Sequence, residues 1–236
     1  MANTIVTIDG PAGSGKSSVA RHLARELGLS YLDTGAMYRA VAARALDSGL
    51  DPAMQPRRVT ELTQRMTLEV DWNSDPPRLI VDGQLIADRL RDADVRVAVS
   101  DVAVLPEIRQ VLVDAQRRLA SQRGGLVTEG RDQGSVVFPD ADVKFYLDAD
   151  PTVRARRRAL ELQEIGEQVD EQEVYAELLR RDQRDHQRSD GPLVCPDDAV
   201  RIDTSEMTFQ QVVSRLAEIV RQRMCNGPTQ PVGSGA

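Results

Sequence analysis

The chain has 236 residues, of which 41% are apolar and 28% charged, and carries a formal net charge of −7. This length suits one α/β domain with inserts, or at most two small domains, with ample chain for a core. The acidic balance excludes a general nucleic-acid or membrane surface, so any anion site must be a local basic cluster on an acidic body.

Thr4-Ile5-Val6-Thr7-Ile8 is a β-branched run that reads as a buried strand. Gly10-Pro11-Ala12-Gly13-Ser14-Gly15-Lys16-Ser17 follows it and fits G-x-x-x-x-G-K-[ST], the phosphate-binding P-loop. From Ser18 on, Val19, Leu23 and Leu27 recur at helical spacing. Strand, glycine-rich turn and helix start therefore come in the order a P-loop requires. Glycines let backbone N–H groups crowd a polyphosphate, and the helix N-terminus adds partial positive charge. In this motif Lys16 reaches the β- and γ-phosphates of a nucleoside triphosphate, and Ser17 ligates Mg²⁺.

Gly28 closes the first helix, and a second short strand covers Leu29 to Leu32. Asp33 or Thr34 caps a helix from Ala36 to about Leu46. Strand–helix–strand–helix with short turns is the signature of a parallel sheet. From Pro56 to Val99 the texture changes. A short helix, Arg57 to Met66, precedes alternation over Thr67 to Asp71, and Leu79-Ile80-Val81 leads through an Asp82-Gly83 turn into Leu85-Ile86. This reads as a small antiparallel insert at about 56–99. Helices from about Asp92 to Val104 and Pro106 to Leu119 return to the main body. Further core strands are expected at Leu126 to Thr128, Lys144 to Leu147 and Val200 to Ile202, with helices at Pro151 to about Glu164, Glu171 to Gln187 and Thr208 to Met224. The Gly/Pro/Ser-rich residues 226–236 are expected to be a disordered tail. Cys195 and Cys225 form no C-x-x-C, which points away from a disulfide framework or zinc site. No leader-like N-terminus or membrane-length run is evident, so the expected location is cytoplasmic.

The arginines say what meets the phosphates. Arg39 lies just beyond the second strand, and Glu129, Arg131 and Asp132 just beyond the third. Ligands of open parallel sheets bind beyond the carboxyl ends of strands, so these residues belong beside the P-loop. Arg181, Asp185 and Arg188 share one helix face, as do Arg154, Arg157 and Arg158. Guanidinium forks match phosphate oxygens. Arg180 and Arg184 read as ordinary surface residues.

Together these segments resemble the bacterial cytidylate kinase family, kinases of CMP and dCMP. The resemblance runs through Ile8 to Lys16, Leu32-Asp33-Thr34-Gly35-Ala36-Met37-Tyr38-Arg39, Gly130 to Pro139 and Arg181 to Arg188. It implies an α/β P-loop kinase fold over residues 1–225, a five-stranded parallel sheet flanked by helices, an antiparallel monophosphate-binding insert, and a short lid at about 154–167. It implies ATP as donor and Mg²⁺ as cofactor. Residues Gly10 to Ser18, with lid residues Arg154 and Arg157, would hold the triphosphate, and Ser17 and Glu129 the metal. Lys16, Arg131 and Arg158 would stabilise the transferred phosphoryl. Thr34, Arg39 and Arg109 would grip the acceptor monophosphate and its surroundings, and Ser100 and Asp132 the cytosine. Arg181, Asp185 and Arg188 would bind the phosphate, ribose and base edge. The chain is expected to act as a monomer on small molecules, with no nucleic acid or membrane. Two positions depart from the pattern: Glu129 stands where relatives have Asp, and Gln133 where an apolar residue is expected.

A phosphate acceptor needs no general base, because its second pKa lies near 6. His22 and His186 are accordingly read as surface residues. Alternative acceptors are UMP, AMP or an alcohol such as shikimate; an alcohol would require a base, for which Asp33 or Asp132 is the candidate. A nucleotide switch would need an N-K-x-D guanine-reading motif, which the chain lacks.

Overall fold

The computed structural model describes residues 4–226. The expected tail falls outside the described residues, except that Asn226 ends the last helix. In chain order the first elements are β1 (Thr4–Asp9), α1 (Lys16–Leu27), β2 (Ser30–Asp33) and α2 (Thr34–Asp47). The insert region supplies α3 (Pro56–Arg65), β3 (Leu68–Asp71), β4 (Arg78–Val81), β5 (Gln84–Leu85) and α4 (Ala93–Val102). Then follow α5 (Pro106–Ser121), β6 (Gly125–Gly130), β7 (Val143–Asp148), α6 (Pro151–Glu164), α7 (Glu171–His186), β8 (Val200–Asp203) and α8 (Phe209–Asn226).

The main sheet is parallel, with strand order β2-β6-β1-β7-β8, and β3-β4-β5 form a separate antiparallel sheet. The strand that feeds the glycine-rich turn is therefore central. Helices cover both faces, which is why β6 is buried at every residue and reads as a continuous run without alternation. On one face Val19, Leu23 and Leu27 of α1 meet Val212, Leu216 and Val220 of α8. On the other, Met37, Val41, Ile108 and Leu112 share a single core with Val59, Leu68, Leu79, Val81, Val95 and Val99. The insert region is thus recognisable by its sheet but packs on the core of the main body.

Boundaries differ from the sequence reading where a tertiary bond decides them. Asp33, one of two candidate caps, accepts from the Ala36 N–H at 2.8 Å, so α2 begins at Thr34. Asp82 and Gly83 both take positive φ, 50° and 77°, as a two-residue hairpin turn requires, so pairing resumes one residue earlier than expected, Gln84 against Val81. A wide π-type turn over Gln133–Val137 was not expected at all. Among the described residues no helix is long and apolar enough to cross a membrane.

One buried ion pair hangs the glycine-rich turn on α6 and α7. Arg154 donates to the Ala12 carbonyl at 2.9 Å, to the Ala149 carbonyl at 3.0 Å and to Asp182 at 2.5 Å. Asp182 in turn accepts from the Ala12 N–H at 3.1 Å. Both backbone groups of Ala12 are held, and the Ala12 side chain packs with Ala155, Ala159, Leu162 and Leu178. Removing one partner leaves the other buried and uncompensated. Asp182→Ala is therefore expected to lower the unfolding free energy by about 3 kcal/mol, measured by urea titration, with Asp182→Asn losing less.

Candidate active site

Gly10 leaves β1 with φ of 148°, and a Cβ there would lie 2.0 Å from the Leu147 carbonyl oxygen. Only glycine lets the turn pass so close to β7. The turn then delivers Lys16 as the first residue of α1, where it is 5% exposed. Its Nζ donates back to the Pro11 carbonyl at 2.6 Å and to Ser14 Oγ at 3.3 Å. Burial, reinforced by nearby Arg131 and Arg181, pushes its pKa down to about 7. An anion would restore its charge.

Ser17 Oγ donates to Glu129 Oε1 at 2.8 Å, joining the glycine-rich turn to the end of β6. Burial, and then the carboxylate of Asp33, raise the Glu129 pKa, while Lys16 opposes them. A hydroxyl and a carboxylate under like-charge pressure suit a hard divalent cation. Among the described residues no three His, Cys, Asp or Glu side chains form a self-sufficient metal cage. A cation here would need water and phosphate oxygens as well, the usual habit of Mg²⁺.

Beside the turn lies a cluster of guanidinium groups. Arg39 pairs with Asp33 at 2.8 Å, Arg131 with Asp185 at 2.7 Å, and Arg188 also with Asp185. Burial alone would raise Asp185, but Arg131, Arg188 and Arg181 together hold its carboxyl below the usual range. Arg181 differs. Among the described residues its guanidinium has no hydrogen-bond or ion-pair partner. Burial, then Arg131, with Arg39 and Arg188, lower its pKa to about 10. Arg39, Arg131, Arg181 and Arg188 thus share one field, and Arg131 and Arg181 also reach Lys16. Arg131 and Arg181 are therefore charge neighbours of the P-loop lysine, and Arg39 and Arg188 are charge neighbours of Arg181.

A second cluster centres on Arg109, a α5 residue only 1% exposed. Its Nη2 donates to Asp132, its Nη1 to Tyr38 Oη at 3.3 Å, and its Nε to Asp190 at 3.1 Å. One cation between two carboxylates is net negative. The charge there differs in sign from that around Arg181. Ser100 lies half-buried on α4 with no polar partner among the described residues. Asp101 beside it approaches Arg184 of α7 at 3.6 Å. The Thr34 hydroxyl, also expected at the acceptor phosphate, donates to the Glu129 carbonyl at 2.7 Å and ties α2 to β6.

The three arginines expected in a lid have three different places. Arg154 is buried behind the glycine-rich turn in the clamp described above. Arg157 donates to the Thr204 carbonyl at 2.7 Å, joining α6 to the end of β8. Arg158 lies half-exposed and pairs with Glu161 one turn on. Arg154 and Arg158 share one face of α6, but Arg154 lies behind Ala12 while Arg158, one turn further on, is half-exposed.

Sequence reasoning missed several residues that hold the site. Asp9, 1% exposed, accepts from the Gln133 and Gly134 N–H groups at 2.9 and 2.7 Å, seating the π-type turn that follows Asp132. Burial pushes its pKa up to about 7. Gln133, odd for an apolar slot, accepts from Thr128 Oγ1 at 3.0 Å and donates to Gln116 at 3.0 Å. The Gln133 amide is thereby bonded through both its oxygen and its nitrogen, while Gln116 Nε2 has no partner among the described residues. Asp182 and Asp190 were missed too. The only signal for Asp9 and Asp182 was adjacency to Gly10 and Arg181; for Asp190 there was none.

A sequence model of the family described as cytidylate kinase matches residues 6–222. A cytidylate kinase of Mycobacterium avium (strain 104) is 46% identical over 222 residues, 94% of this chain and 97% of the relative. Another from Pelotomaculum thermopropionicum is 46% identical over 213 residues, 89% of this chain and 93% of the relative. A bifunctional pantoate ligase/cytidylate kinase of Synechococcus elongatus is 42% identical over 224 residues, 93% of this chain and 42% of that longer protein. With the glycine-rich turn, the strand-end arginines and a family match over nearly its whole length, the chain belongs to the cytidylate kinase family.

Proposed function

We infer that the chain transfers the γ-phosphoryl group of ATP to CMP or dCMP, giving ADP and CDP or dCDP. The observation that carries this is a mismatch of charge. At the strand ends every carboxylate is engaged: Asp33 by Arg39, Glu129 by Ser17, Asp132 by Arg109, Asp185 by Arg131 and Arg188, and Asp9 by backbone N–H groups. Among the described residues Lys16, which is buried, and Arg181, which is half-buried, have no carboxylate partner. Such a site calls for anions from two sides. The engaged carboxylates also leave no free base for an alcohol acceptor, which favours an acceptor that is already ionised.

An oxygen of the CMP phosphate attacks the γ-phosphorus. The bond from that phosphorus to the β–γ bridging oxygen breaks, and ADP leaves with the electron pair. The barrier is repulsion between anions and loss of alignment. The glycine-rich turn and Lys16 hold the donor. Arg39, Arg131 and Arg181 neutralise the acceptor phosphate and the transferred group. Arg188 and Asp185 orient the nucleoside, and Asp132 and Ser100 meet the base. Ser17 and Glu129 would hold Mg²⁺, which when bound shields charge between the donor phosphates. Arg158, half-exposed on α6, would exchange its Glu161 partner for the triphosphate. Every residue in this account lies on one chain, so a monomer suffices.

A panel of nucleoside monophosphates in a coupled ADP-release assay tests the reading. Cytidine nucleotides are expected to lead, and equal use of UMP or AMP would reject the acceptor assignment. Arg188→Ala should raise the KM for CMP about tenfold or more and leave that for ATP little changed; equal effects on both would reject its role. Glu129→Gln should raise the Mg²⁺ concentration needed for half-maximal rate, with activity partly recovered at high Mg²⁺. An unaltered Mg²⁺ profile would remove Glu129 from the metal site.

A further inference from the structure

Asp190 lies in the connection between α7 and β8, outside every motif, with a side chain 44% exposed. Its Oδ2 nevertheless accepts from Nε of Arg109, a side chain 1% exposed. The connection is seated firmly there. Leu193 is fully buried, and its N–H donates to the Asp185 carbonyl at 2.9 Å. Gly191 has φ of 57°, and a Cβ on it would lie 1.6 Å from Arg109 Nη2 and 2.4 Å from Asp132 Oδ2. The backbone thus rests directly on the Arg109–Asp132 pair, and only glycine permits this. Asp190 is turned inward by the residue beside it.

The guanidinium is a planar fork, so its plane is fixed once two edges are held. Asp190 holds the Nε edge, Asp132 the Nη2 edge, and Tyr38 an Nη1 direction. Two N–H groups remain. A ring with an exocyclic amino group next to an unprotonated ring nitrogen complements this arrangement. The amino group donates to Asp132, and the ring nitrogen accepts from Arg109. A ring with a carbonyl and an N–H at those places faces carboxylate with oxygen and guanidinium with hydrogen. The second carboxylate strengthens this bias, because it changes the pair from neutral to net negative.

We propose that Asp190 is a positioning and specificity residue for the acceptor base, acting through Arg109 to favour an amino-bearing pyrimidine over its carbonyl counterpart. This rests on the reading of the chain as a kinase of cytidine monophosphates.

The test is steady-state kinetics of the full chain with CMP and UMP at saturating ATP and Mg²⁺, for the wild type, Asp190→Asn and Asp190→Glu. Asp190→Asn is expected to raise the KM for CMP roughly three- to tenfold and to lower the CMP-over-UMP ratio of kcat/KM by a similar factor. The KM for ATP should stay within about twofold, and Asp190→Glu should recover most of both losses. An unchanged KM for CMP and an unchanged ratio overturn the proposal. So does a parallel rise in the KM for ATP, which marks general damage to the connection. A wild-type chain with no preference for CMP overturns the functional reading itself, and that arm is read before any variant.

Discussion

Repulsion among like charges is the constraint on which this structure depends. An ammonium and several guanidinium groups converge beyond the ends of β1, β2 and β6, partly or wholly withdrawn from water. Left alone, they would force each other apart or lose their protons, and Lys16 and Arg181 are displaced in that direction. The fold answers with Asp33, Glu129 and Asp185, each held by a bond to a second element. The compensation is incomplete, because among the described residues Lys16 and Arg181 have no carboxylate partner.

Holding that arrangement requires stiffness in the backbone beneath it. The Arg154–Asp182 pair fixes the glycine-rich turn through both backbone groups of Ala12. Asp9 fixes the turn after Asp132 through two N–H groups, and it directly precedes Gly10. The donor side and the acceptor side are therefore joined through one buried carboxylate at the end of the central strand. Catalysis by alignment depends on distances kept to a fraction of an ångström. Buried, fully bonded polar groups are suited to this because leaving them unbonded costs so much.

Two electrostatic characters meet beyond the strand ends. Around Arg181 positive charge is in excess. Around Arg109 two carboxylates outweigh one guanidinium. The same residue type serves opposite purposes, and the difference lies wholly in the number of carboxylates brought to it.

The amino-acid sequence by itself determined the fold class, the glycine-rich turn and the antiparallel insert, and set Arg39 and Arg131 just beyond β2 and β6. Those features rest on local signals: β-branched runs, helical spacing, glycines at fixed intervals, and the rule that parallel strands end at one edge. Tertiary structure alone decided which arginines support the backbone and which pair with carboxylates beside the glycine-rich turn. Arg154 and Arg158 stand on one helical stripe, yet one is buried under Ala12 and the other meets solvent. Arg109 took its carboxylate partners from segments 23 and 81 residues away, and no spacing along the chain encodes that. Charge compensation is a property of neighbours in space, so the role of a charged side chain is settled only when the chain has folded around it.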